Sequence, residues 1–179
     1  MAAAKPAGRR LPGMDVERVR AFLTGLPYVA ETMQWGDNLL FWVGDKAIGG
    51  KMFALMNLDG RGAVISFAAT LERQAELCER EGLFPAPYLA RVGWVAAERW
   101  DALPWREWQE HLSAAHEVVR AKLPARTLAI LGGPKKEREA LIMSRRRQLA
   151  SRKAAADVSK VKGGIEGAKK ATSRRPRSR

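Results

Sequence analysis

The chain is poor in the residues that most often carry chemistry. Of its 179 residues one is cysteine and two are histidine. With Cys78 alone, no intramolecular disulfide and no cysteine-based zinc site can form, which suits a reducing, cytoplasmic setting. His111 and His116 fall five apart on one helical pattern, about 140° around its axis, so they do not make a metal pair at i, i+4. Each reads as a flank of an apolar face. No run approaches the roughly 20 apolar residues of a membrane span, and the first 13 residues lack the apolar stretch of a signal peptide. A soluble protein without catalytic or cofactor motifs is expected, and membrane association is not. Gly49-Gly50-Lys51 touches on a phosphate loop, but the full spacing and the following Ser or Thr are missing. A turn before a strand is the better account.

What the chain has in excess is positive charge: 32 Lys and Arg against 19 Asp and Glu, a net +13. The charge is unevenly placed. Residues 1–13 carry three cations and no acid. Residues 14–124 carry 12 basic and 15 acidic side chains, so the middle of the chain is slightly acidic. Residues 125–179 carry 17 basic and four acidic side chains. The organisation expected is a disordered N-terminal arm (1–13), a folded domain (14–124) and a basic tail (125–179).

Within the domain, Val16, Val19, Phe22, Leu23 and Leu26 recur at helical spacing up to Pro27. Leu40 to Val43, Lys51 to Leu58 and Ala63 to Ala68 are short apolar runs bounded by Gly, Asp and Asn, which read as antiparallel strands joined by hairpins. Both faces of several strands are apolar, so the pattern does not say which face meets the helices. Residues 70–81 return to helical spacing, with Leu71, Ala75 and Cys78 on one stripe. Residues 83–90, with Pro85 and Pro87, read as a loop, and Val92 to Glu98 as a last strand around Trp94. Pro104 opens the strongest helix. Trp105, Trp108, Leu112, Ala115, Val119 and Leu123 hold one apolar face until Pro124. The fold class expected is α+β, an antiparallel sheet with helices packed against it. In the tail a basic helix fits 134–156 with a thin stripe (Leu141, Ile142, Leu149). Beyond it the composition offers almost nothing to bury and predicts disorder.

The middle segment resembles the MmcQ/YjbR-like family. The resemblance rests on Trp35-Gly36, Phe41-Trp42-Val43, Gly50-Lys51-Met52-Phe53-Ala54, Pro87-Tyr88, Trp94, Val118-Val119 and Lys122-Leu123-Pro124, taken in that order. It implies a CyaY-like α+β fold and DNA binding through two hairpin wings beside a helix. The frataxin-like fold also raises iron. Glu72, Glu76 and Glu79 share a helix face, but Arg73 and Arg80 intermingle with them, which argues against a carboxylate metal site. The acidic balance of the domain and its basic extension are departures from the family pattern.

The candidate nucleic-acid contacts are of two kinds. In the tail they are Lys135, Lys136, Arg145, Arg146, Arg147, Arg152 and Lys153, cations that can follow phosphates without reading bases. Beside the hairpins they are Lys46, Lys51 and Arg61. These would touch the DNA backbone if the hairpins are wings; as ordinary solvated charges on edge strands they have a simpler explanation. Of the six tryptophans, Trp94, Trp105 and Trp108 belong to apolar faces, and Trp35, Trp42 and Trp100 are open to an exposed stacking role. Two functions stand: nonspecific DNA binding, or a protein- or ligand-binding module that its tail merely holds near nucleic acid.

Overall fold

The structure, a computed structural model, describes residues 16–60 and 62–172, with side chains as far as 154. The N-terminal arm, Arg61 and the last seven residues lie outside the described residues. Two compact units follow one another, Met1–Gly132 and Gly133–Arg179.

The first unit is an α+β fold around one six-stranded sheet, ordered β1-β2-β3-β4-β6-β5 with every neighbour antiparallel. Helix α1 spans Val16–Gly25 and buries Val19 and Leu23. Strands β1 (Val29–Gln34) and β2 (Asn38–Val43) form the first hairpin, and β3 (Lys51–Asn57) and β4 (Ile65–Ala68) the second. Helix α2 (Leu71–Cys78) leads to β5 (Leu83–Pro85) and β6 (Trp94–Ala97). Helices α3 (Trp105–Ala121) and α4 (Ala125–Gly132) complete the unit.

Strand β1 has no apolar run to announce it. It lies at the sheet edge, and its polar residues have specific partners. Glu31 takes a two-pronged ion pair from Arg20 of α1, at 2.7 and 2.8 Å. Thr32 accepts the indole N–H of Trp42 at 2.9 Å. Strand β5 falls inside the expected loop 83–90. Its proline is tolerated because β5 is the opposite edge, where one row of backbone groups needs no partner.

The loop between β2 and β3 accounts for Gly49-Gly50. Asp45 caps a 3-10 turn, accepting the Ala47 N–H at 2.7 Å. The chain then doubles back so closely that a Cβ on Gly50 would sit 1.9 Å from the Gly44 carbonyl oxygen. Gly49 holds φ +88°, and a Cβ there would meet the Thr127 hydroxyl at 2.8 Å. The glycines close a turn and leave no cradle for a phosphate.

Among the helices of the folded unit α3 adds most to the core, burying Trp108, His111, Leu112, Ala115, His116 and Val119. Trp108 donates its indole N–H to the Trp100 carbonyl at 2.9 Å, and Phe67 packs edge-on against it at 6.0 Å. Both histidines lie inside the packed face. His116 is 1 % exposed and its Nε2 lies 2.9 Å from the Pro27 carbonyl oxygen. A contact of that length to a carbonyl places the proton on Nε2.

Three sequence expectations need correction. The inward face of α2 is Gln74, Leu77 and Cys78, whereas Leu71 is 62 % exposed and Ala75 is also exposed. The polar Gln74 earns its inward position by donating to the Ala90 and Trp94 carbonyls at 2.9 and 2.6 Å. Residues 125–132, assigned to the tail, form α4 of the folded unit. The Pro124 carbonyl accepts the first amides of α4, from Thr127 and Leu128, so the proline that stops α3 also seeds the next helix. Thr127 then donates to the Ile48 carbonyl at 2.9 Å, and Leu131 is buried beside Gly44. Finally, α5 runs from Lys135 to Thr172 and does not stop at 156. Its many Ala, Lys and Arg residues are good helix formers, which continue a helix without a buried stripe.

Candidate nucleic-acid interface

Gly132-Gly133-Pro134 separates α4 from α5. Helix α5 begins with the Arg138 N–H donating to the Pro134 carbonyl at 3.0 Å, and the Arg138 side chain donating to the Gly133 carbonyl at 3.2 Å. Lys135 and Glu139 make an exposed i, i+4 pair at 3.9 Å, the kind that contributes a few tenths of a kcal/mol, about 0.3–0.5. From Ala140 to Ala156 there are five cations and no acid.

All seven tail candidates lie on this helix. Lys135, Lys136, Arg146, Arg147, Arg152 and Lys153 are exposed and Arg145 is half-buried. At about 100° per residue the seven span roughly 220° of the circumference. Leu141, Ile142 and Leu149 fall at the margin of this arc or within it. This is a broad cationic surface and not a narrow stripe. The stretch from Lys135 to Lys153 is about 27 Å long at 1.5 Å per residue.

Of the hairpin candidates, Lys46 and Lys51 lie away from the hairpin turns. The turns of both hairpins lie at one end of the sheet, joined by Leu58 N–H to Asp37 carbonyl (2.8 Å) and Asn57 to Asn38 side chains (3.2 Å). Lys46 and Lys51 are at the other end, in and after the β2–β3 connection. The Lys46 ammonium lies 5.6 Å over the Trp42 ring. Lys51 donates to the Lys122 carbonyl at the end of α3, 2.6 Å away. At the hairpin tips the described charged residues are Asp37 and Asp59; Arg61 is outside the described residues.

Of the three tryptophans open to a stacking role, Trp42 and Trp100 are half-buried, and Trp100 packs against Trp108 at 6.1 Å. Trp35 is 68 % exposed at the first hairpin tip, with φ +55°. Glu76 of the acidic α2 face is paired with Arg73 at 2.5 Å. Among the described residues no three His, Cys, Asp or Glu side chains gather as a metal ion would need. No helix of the described residues is long and apolar enough to cross a membrane.

A family model described as YjbR matches residues 24–118. Among solved structures the chain is similar to the Deinococcus radiodurans protein DR2400, described as a DUF419 domain. The two are 24% identical, with a TM-score of 0.55, over 73% of this chain and 90% of that one. No match was found among curated proteins.

Proposed function

This chain belongs to the YjbR family, and from that premise we propose that it is a non-enzymatic nucleic-acid-binding protein, held to DNA by its basic arm. One observation carries the reading: the acid-free run of five cations along α5, its side chains turned largely to solvent. A cationic helix replaces counterions along the phosphate backbone, and the gain in affinity is insensitive to base sequence. The wings take a lesser part in this account. Lys46 and Lys51 have partners within the folded unit, and the hairpin tips carry Asp37 and Asp59.

The test is the triple variant Arg145→Gln/Arg146→Gln/Arg147→Gln in the full chain, read by fluorescence anisotropy on unrelated duplexes. The slope of log affinity against log salt should become shallower by roughly 2–3. The loss should be similar on every sequence. An unchanged slope would remove α5 from the interface.

A second reading is favoured by the acidic balance of residues 14–124. In it the folded unit is a binding module for something other than nucleic acid, and the arm only places it on DNA. Loss of DNA binding with retention of another ligand by the folded unit would support this division.

A further inference from the structure

Between α2 and α3, beside the end of β4, lies a cavity of about 230 Å³. Phe67, Leu77 and Val118 give it apolar walls, and Thr70, Arg73 and His111 are the polar residues of its lining. His111 is 7 % exposed and lies nearly parallel to Phe67, ring centres 6.3 Å apart. Among the described residues its ring nitrogens have no hydrogen-bond partner, yet neither is sealed from solvent-sized space. His111 thus lines the cavity, is more than nine-tenths buried and has ring nitrogens that no described protein group occupies. Water can pair with these nitrogens, and a solute with a polar head group can take the water's place.

Arg73 stands in the first turn of α2, whose N-terminus is capped by the Thr70 hydroxyl accepting the Arg73 N–H at 3.2 Å. Its guanidinium spends one nitrogen on Glu76, at 2.5 Å. A guanidinium has five N–H donors in a fork that fits a planar carboxylate. The positive end of the α2 dipole favours an anion at the same place. The walls favour an apolar body, and the volume falls below the roughly 300–1,000 Å³ of sites for drug-sized ligands.

We propose that this cleft binds a small monocarboxylate with an apolar body. Arg73 and His111 take the head group, and Phe67, Leu77 and Val118 hold the body. The inference is independent of the DNA reading. The charged groups facing His111 are Arg73 from α2, Arg80 from the turn that follows it, and Glu107 and Glu110 from α3. A bound carboxylate adds a negative charge to this set and favours the imidazolium.

The experiment uses the full chain labelled on histidine, with benzoate as the probe and benzamide as its neutral counterpart, followed by NMR of the His111 ring. Benzoate should shift the His111 signals saturably and raise the midpoint of their titration. Benzamide should bind at least about tenfold more weakly, since it cannot pair with a cation. Arg73→Gln should weaken benzoate by about tenfold. Ala114→Phe, a change at an exposed rim position of the cleft, should abolish the shift while the other resonances keep their folded dispersion. The proposal is overturned if benzoate gives no saturable shift, if benzamide binds equally well, or if Ala114→Phe binds benzoate as the wild type does.

Discussion

The Lys51 ammonium donates a 2.6 Å hydrogen bond to the carbonyl oxygen of Lys122, joining the first residue of β3 to the end of α3 across 71 positions of sequence. A cation at a helix C-terminus meets the negative end of the dipole and satisfies a carbonyl that has no partner within the helix. The Lys51 side chain thus serves the fold. Lys51→Met should lower stability by about 0.3–1 kcal/mol in urea unfolding. DNA affinity and its salt slope should stay as in the wild type. A slope shallower by about 1 would mean that Lys51 contacts a phosphate after all.

The end of the folded unit offers a second prediction. A chain stopped at Pro124 loses α4, exposing the surface that Leu131 covers and leaving the Ile48 carbonyl without the Thr127 hydroxyl. Burial of one leucine contributes about 1.5–3 kcal/mol, and one hydrogen bond about 1 kcal/mol. The chain ending at 124 should therefore be less stable than one ending at 132 by about 2–4 kcal/mol. Equal urea midpoints for the two would place α4 outside the cooperative unit.

His111 gives the folded unit a pH dependence. Burial lowers its pKa, and Arg73 and Arg80 add to the effect against Glu107 and Glu110. The unfolded chain therefore takes up the proton at a higher pH than the folded chain. Stability is full above the unfolded value of about 6.5 and declines as pH falls through the folded one. Between about pH 7.5 and about pH 5.5 the wild type should lose more stability than His111→Gln. Parallel losses in the two proteins would show that another group carries the dependence.

Elements that bury one continuous face were legible in the sequence. Trp108, Leu112, Ala115 and Val119 mark α3, and the run at Leu40 to Val43 marks β2, because period and apolarity coincide there. Strand β1 was not legible, since an edge strand satisfies Glu31 and Thr32 through partners that no local pattern names. The inward face of α2 was misread for a similar reason: Gln74 takes a core-facing position by bonding two distant carbonyls. The basic arm was visible from charge alone, but not how far its helix extends. The cleft was invisible as a site, because it joins α2 to α3. Its one local signal was His111 at helical spacing from Trp108 and Ala115, inside the apolar face.

In the proposed function the arm binds DNA and the folded unit does not. The most direct test measures affinity for a mixed-sequence duplex against salt, for the full chain and for the chain ending at Gly132. The full chain should bind with a slope near −0.9 for each phosphate contacted, so about −5 for six contacts. The shortened chain, folded and with α4 intact, should show no measurable binding. If it binds with a comparable slope, the folded unit is the DNA-binding element and the central claim is wrong.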